Sequence, residues 1–273
     1  MPRALALSQA VGWNQTPADW TLVIEMNPAG CFAIEVEGAI VATTSTIRYG
    51  TTLAWIGMVL THPEFRGRGY ARTLMEQALD HLRGVQTIKL DATEMGAPLY
   101  KKIGFADECA IERWIRPAQP SASAAAGDYV PQLDLDRQAF GADRSALLHR
   151  LASVGQAGSL QRVGNPLGRV ETQEGPIANR PQDAILPHMA FAMGRANRFG
   201  PCVSRSKESA EKLAQWFLAR HPNEELLWDL FPENNVAKSL GFEFSRRLTR
   251  MTRGRNLKDD RSLIYAGAGF EFG

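Results

Sequence analysis

The sequence predicts an α/β protein with mixed sheets, built as two tandem copies of one fold. Three observations carry that expectation. Helical and strand-like periodicities alternate along the chain, a run of small residues and prolines divides it, and short matches recur in one order on either side of the run.

The division falls at Pro117-Ala118-Gln119-Pro120-Ser121-Ala122-Ser123-Ala124-Ala125-Ala126-Gly127. Prolines and small side chains build no core, so residues 117–128 read as a linker between units 1–116 and 129–273. Each unit has an ordinary domain length.

In the first unit, Pro17 to Met26 reads as a short helix and Cys31 to Val36 as a strand. Glu37-Gly38 is a turn, and Ala39 to Ile47 continues as the hairpin partner. Leu53 to Leu60 is too apolar to have an exposed face, which predicts a central strand. From Tyr70 to Leu82, apolar residues at 71, 74, 75, 78, 79 and 82 have helical spacing. Thr87 to Ala92 reads as a strand, Ala97 to Lys102 as a short helix and Phe105 to Ile115 as the unit's last strand.

The second unit repeats this order imperfectly. Lys101-Lys102-Ile103-Gly104-Phe105 corresponds to Lys238-Ser239-Leu240-Gly241-Phe242, and Asp91 precedes the first Gly-Phe at nearly the interval by which Asp229 precedes the second. The strand and helix from Gly57 to Leu82 correspond to Gly200 to Ala219. The stretch Gly164 to His188, rich in Gly, Pro, Asn and Gln, breaks the correspondence and reads as an insertion.

Composition narrows the function classes. Among 273 residues, 44% are apolar and 22% charged, ordinary values for a chain that buries a core. A net charge of +2 gives no footprint for nucleic acid or membrane. Cys31, Cys109 and Cys202 lie far apart with no CxxC pair, so neither a metal site nor a disulfide framework is expected. With no apolar leader and no run long enough to span a bilayer, the expected location is cytoplasmic.

The chemistry lies after the central strand, in Arg66-Gly67-Arg68-Gly69-Tyr70-Ala71-Arg72. A strand here meets a glycine-containing turn and the start of a helix. The glycines permit a sharp turn with no Cβ between the amides and a ligand. The first helical N–H groups lack internal partners and carry partial positive charge, which makes an anion site suited to a pyrophosphate. Arg66, Arg68 and Arg72 add charge around it. The segment lacks the GK[ST] of a P-loop, and Arg72 stands where a dinucleotide fingerprint has its last glycine.

What the segment fits is Gln/Arg-x-x-Gly-x-Gly/Ala, with Arg66, Gly69 and Ala71 at the fixed places. With the later Leu99-Tyr100-Lys101-Lys102-Ile103-Gly104-Phe105, residues 17 to 116 resemble the GNAT superfamily of N-acetyltransferases. The resemblance implies acetyl-CoA as co-substrate and no metal. It places the pyrophosphate on the amides of Arg68 to Arg72, and the pantetheine arm against the backbone of Met58 and Val59. It implies that Tyr100 protonates the departing thiolate, a role suited to a phenol. Many relatives carry a glutamate on the central strand, but Trp55-Ile56-Gly57-Met58-Val59 has no acid. Asp91, Glu94 and His62 are candidate bases, each with a structural alternative: Asp91 a turn or cap residue, Glu94 solvated, His62 on the loop surface. Relatives also open with an edge strand, whereas this sequence starts at about the first helix.

The second unit has lost the equipment. The stretch from Val59 to Leu74 is five residues longer than that from Val203 to Leu213, and the difference is the glycine loop. The tyrosine position becomes Ala237. This unit resembles the C-terminal domain of a bacterial tandem-GNAT subgroup in Phe140-Gly141-Ala142-Asp143-Arg144, Arg250-Met251-Thr252-Arg253-Gly254 and Ala266 to Gly273. Gly12-Trp13-Asn14-Gln15-Thr16 fits the same subgroup. Asp143 is expected to cap the helix that follows, while Arg144 is open between surface and substrate contact. The second unit is therefore expected to complete a substrate pocket rather than to catalyse. The leading expectation is acetylation of a primary amine on a small molecule. Acetylation of a protein lysine or N-terminus and non-catalytic acyl-CoA sensing are the alternatives.

Overall fold

The computed structural model describes residues 2–119, 132–154, 190–195 and 197–273. Most of the linker and the whole Gly164–His188 insertion expected above lie outside the described residues.

The first half follows the sequence reading closely. Helices α1 (Pro2–Ala10) and α2 (Pro17–Met26) precede the hairpin β1 (Cys31–Val36) and β2 (Ala39–Tyr49). Then come β3 (Leu53–Thr61), α3 (Tyr70–His81), β4 (Thr87–Ala92), α4 (Ala97–Lys102) and β5 (Ala106–Arg116). Thr16 starts α2 with a capping box closed by Asp19. Both residues of the predicted turn, Glu37 and Gly38, adopt positive φ. Helix α1 has no counterpart in the sequence reading. Its buried face is only Ala4, Leu7 and Ser8, too small an apolar stripe to register as periodicity.

The second half holds α5 (Leu133–Phe140), α6 (Ser145–Val154), β6 (Ala190–Arg195), β7 (Arg198–Ser204), α7 (Lys207–Arg220), β8 (Leu226–Leu230), β9 (Glu243–Gly254) and β10 (Ile264–Ala266). As the repeat predicts, β7–α7–β8 reproduces β3–α3–β4, with β3 parallel to β4 and β7 parallel to β8.

The two halves do not form separate sheets. One ten-stranded mixed sheet runs β1-β2-β3-β4-β9-β5-β8-β7-β10, with β6 on the other edge of β7. Strands β5 and β9 are exchanged: β9 of the second half pairs with β4, and β5 of the first half pairs with β8. The two exchanged strands also pair with each other.

Buried ion pairs fix the exchange. Arg250 on β9 reaches Asp91 on β4 at 2.9 Å, and Arg113 on β5 reaches Asp229 on β8 at 2.6 Å. Arg113 follows Gly104-Phe105 at the interval by which Arg250 follows Gly241-Phe242. The same Arg–Asp contact is thus made twice, each time across the junction. Asp91 is accordingly a strand residue held by Arg250, not the turn or cap residue expected above. No helix among the described residues is long and apolar enough to cross a membrane.

Candidate active site

Strand β3 pairs with β4 only from Leu53 to Trp55, after which the two splay apart. Opposite β2, the register jumps between Gly57 and Leu60, so Met58 and Val59 form a β-bulge with Met58 at a φ of 50°. The edge of β3 that faces the splay therefore has no β4 partner along the bulge, where the resemblance places pantetheine. The Met58 carbonyl already accepts the Thr43 hydroxyl at 2.8 Å, which fixes the bulge.

At the end of β3 the chain passes through a 3-10 turn, Pro63–Phe65, and enters α3. Gly67 and Gly69 adopt φ of 77° and 82°, left-handed values that favour glycine. Gly69 is the N-cap of α3, and no side chain caps the helix. Its first amides are left for another acceptor.

An open cavity of about 920 Å³ joins this turn to the splay and is bordered by Gly67, Gly69, Tyr70, Ala71, Val59 and Tyr100. Arg66 and Arg72 also border it, although Arg72 pairs with Glu76 at 2.9 Å. Two predicted residues are exceptions: Met58 lines only the inner cavity described below, and Arg68 lines neither. Its guanidinium lies 4.7 Å from the Phe65 ring, and it does not border the cavity.

Behind the bulge lies a smaller cavity of about 40 Å³, lined by Gly57, Met58, Asp91, Tyr100, Arg246 and Glu271 among others. Tyr100, on α4, borders both cavities and so stands at their junction. Its ring packs edge-on to Phe105, and burial pushes the phenol's pKa up. The group therefore keeps its proton throughout the neutral range.

The three candidate bases separate. Asp91 borders the inner cavity with both oxygens held by Arg250, at 2.9 and 3.1 Å. Glu94 borders the outer cavity. His62 borders neither; it is half-buried against Phe65.

Sequence reasoning missed Glu271, Arg246 and Trp13, all of which line the inner cavity. Glu271 arrives on the C-terminal tail, which crosses back to the first half. Trp55 Nε1 donates to the Phe270 carbonyl at 2.9 Å, and the Tyr49 hydroxyl donates to that of Phe272 at 2.7 Å. A Cβ at Gly57 would lie 2.9 Å from the Glu271 Cα, so only glycine lets the tail close on β3. The central strand lacks an acid, and the tail lays one beside it. An Arg at equal intervals after both Gly-Phe pairs signals the repeat but not the strand exchange, and the resemblance of Ala266 to Gly273 does not say that the tail crosses to β3.

Two of the subgroup residues of the second half, Asp143 and Arg144, are structural. The Asp143 carboxylate accepts the Ser145 amide at 2.9 Å at the start of α6, as expected of a cap. That bond, with help from Arg137, holds its pKa down at about 2. Arg144 is neither a surface residue nor a cavity residue. It is buried, paired with Asp136 at 2.8 Å, stacked on Phe140 and bonded to the Gly273 carbonyl. Among the described residues no cluster of His, Cys, Asp or Glu could hold a metal ion.

Comparison with known proteins agrees with this architecture. The sequence model of the Acetyltransferase (GNAT) family matches residues 5–105, and that of an Acetyltransferase (GNAT) domain matches residues 188–266. The uncharacterized N-acetyltransferase YitH of Bacillus subtilis is 30% identical over 188 residues, which span 65% of this chain and 60% of that protein. The holothin acyltransferase of a Pseudoalteromonas strain is 24% identical over 274 residues, covering 96% of this chain and 87% of the relative. The crystal structure of a candidate acetyltransferase from Pyrococcus horikoshii superposes with a TM-score of 0.78 at 19% identity, covering 100% of this chain and 92% of that one. With one GNAT match in each half and a splayed strand pair beside an uncapped helix in the first, the chain belongs to the GNAT acetyltransferase family as a tandem of two GNAT domains.

Proposed function

We propose that the protein transfers the acetyl group of acetyl-CoA to a primary amine on a small molecule, and that the reaction takes place only in the first half. In this reading residues 1–116 are the catalytic unit, and residues 129–273 are a degenerate unit that closes the pocket. The observation that carries the proposal is a single cavity bordered by the uncapped start of α3, the β3 bulge and Tyr100. The pyrophosphate of the co-substrate fits the amides of Arg68 to Arg72 and the charge of Arg66. Its pantetheine arm fits the unpaired edge at Met58 and Val59, and its thioester then lies towards Tyr100.

In this arrangement Tyr100 gives its proton to the departing thiolate, a role consistent with a phenol that burial keeps protonated. A small acceptor is supported by the small inner cavity, which Trp13, Arg246 and Leu248 border together with the outer one. The Pseudoalteromonas relative is likewise named for a single acceptor, holothin.

The test is thiol release from acetyl-CoA against a panel of primary amines, run with the parent and with Tyr100→Phe. Turnover by the variant is expected to fall roughly 10²–10⁴-fold, in kcat more than KM, with coenzyme A affinity nearly unchanged. Variant activity within about twofold of the parent would leave Tyr100 as a packing residue.

A further inference from the structure

Four arginines lie on the strands around the junction: Arg113 on β5, Arg198 on β7, and Arg246 and Arg250 on β9. Three of them have carboxylates. Arg113 and Arg198 share Asp229, at 2.6 and 2.9 Å, and Arg250 holds Asp91 and Asp259, both at 2.9 Å. Arg246 is different. Among the described residues it forms no ion pair, and its Nε is buried with no hydrogen-bond partner. Its guanidinium lies 5.9 Å from the Trp13 ring and 5.6 Å from the Phe270 ring, and it borders both the inner and the outer cavity.

The electrostatics of the position are unbalanced. Burial pushes the Arg246 pKa down to about 10, and the like charges of Arg113 and Arg198 act in the same direction. Asp229 and Glu271 oppose this without restoring the usual value. The side chain remains a cation at neutral pH, partly stripped of water, with only the cavity in front of it. A cation in that state is stabilised by an anion that enters the cavity.

On the inner side, the coenzyme A pyrophosphate does not supply that anion in the arrangement proposed above, although Arg246 also borders the outer cavity. None of residues 66–72, where its pyrophosphate is placed, lines the inner cavity, whereas Arg246 and Tyr100 both do. The anion therefore belongs to the acceptor. A cavity of about 40 Å³ has room for only a few heavy atoms, which suits a carboxylate better than a phosphate ester. A guanidinium fork also matches a carboxylate in two parallel hydrogen bonds. The inner cavity carries the acids Asp91 and Glu271 as well, so a ligand with both an amine and a carboxylate meets opposite charges there.

We propose that Arg246 binds a carboxylate of the acceptor, so that the substrate class is a primary amine that also carries a carboxylate. This rests on the acetyl-transfer reading for the amine, but the carboxylate contact can be measured without turnover.

The experiment uses the full chain saturated with coenzyme A and matched probes: L-phenylalanine with phenethylamine, and L-leucine with 3-methylbutylamine. O-phosphoethanolamine tests a phosphate in the same role. Calorimetry measures binding, and thiol release from acetyl-CoA measures transfer. In the parent, the acid of each pair is expected to bind roughly 10–100-fold more tightly than its decarboxylated partner, the size of one charge-assisted contact. Arg246→Met should remove the difference and Arg246→Lys should keep part of it. Coenzyme A affinity should change by less than about twofold in both. Arg246→Gln replaces Arg246→Met if the latter does not melt as a folded protein. The inference is overturned if neither acid binds, if the decarboxylated amines bind as well as the acids, if the variants weaken both members of a pair equally, or if O-phosphoethanolamine is preferred. Binding that depends on Arg246 without thiol release would sustain the contact and remove acetyl transfer instead.

Discussion

After β3 the chain turns through Gly67 and Gly69 into α3; after β7 it turns through Ser204, Arg205 and Ser206 into α7. In the first turn both glycines are left-handed and the helix start has no side-chain cap. In the second, Ser206 caps the helix itself, accepting the Ser209 amide at 3.2 Å. One helix offers its amides to a ligand, and the other has already used one.

The strands beside these helices differ in the same sense. Both parallel pairs splay, since β3 meets β4 only over Leu53–Trp55 and β7 meets β8 only over Arg198 and Phe199. The first opening is the cavity. The second is filled by β10, which pairs with Cys202 and Val203 on the edge of β7 opposite β6. The Gly267 amide then donates to the Asp229 carbonyl of β8 at 2.8 Å, and Trp228 Nε1 to that of Tyr265. A peptide strand thus lies where the proposed reading puts a pantetheine arm in the first half. The second copy kept the fold and closed the site with its own chain, and the tail beyond β10 went on to wall the first.

The largest expected effect tests the pairs that join the halves. Arg250 has two carboxylates, whereas Arg113 has only that of Asp229, which it shares with Arg198. Asp229→Ala leaves buried Arg113 without its carboxylate and Arg198 with only Glu271, at 4.0 Å, and should cost about 3–5 kcal/mol in urea unfolding. Asp91→Ala should cost less, because Arg250 keeps Asp259. Burial alone would raise the Asp229 pKa, but Arg113 prevails and holds it below the ordinary carboxylate value. Its contribution is therefore present above that ordinary value and lost as pH falls through the depressed one. Equal costs for the two variants would mean that the two junction pairs are not asymmetric.

These pairs also mark where the sequence stopped being informative. The helix at 70–81 and the strands around it were legible because each depends on local periodicity. The turn at 66–71 was legible because glycine spacing reports backbone conformation directly. The exchange of β5 and β9 was not, since a strand's periodicity says which face is buried and nothing about its neighbour. Arg144 could not be settled between surface and substrate for a related reason: its partners, Asp136 and the Gly273 carbonyl, are set by tertiary packing. Arg246 and Glu271 reach the site through long-range folding; Arg246 sits in no recognisable motif, and Glu271 sits in the closing Ala266–Gly273 segment, whose resemblance does not say where the tail packs.

A smaller effect is expected at the anion turn. Gly69 is exposed, and nothing lies within 4 Å of where its Cβ would be, so Gly69→Val creates no clash. At a φ of 82°, however, a β-branched residue forces the backbone to shift and re-aims the amides of α3. Coenzyme A affinity should fall roughly 10–100-fold for each amide hydrogen bond that the shift breaks, with the melting transition still single. Unchanged affinity in calorimetry would put the pyrophosphate elsewhere.

The smallest effect is the sharpest test of the comparison. If the capping serine were all that keeps coenzyme A out of the second half, Ser206→Ala would free the amides of α7 and open a second site. The structure argues otherwise, because β10 still fills the splay and Ala237 still stands at the tyrosine position. The variant should lose only about 0.5–2 kcal/mol of stability, the ordinary cost of a missing cap. Calorimetric stoichiometry is expected to be one coenzyme A per chain in the variant and the parent alike. A second site appearing on this substitution alone would show that the β10 strand is no barrier, and that capping, not strand insertion, separates the two halves.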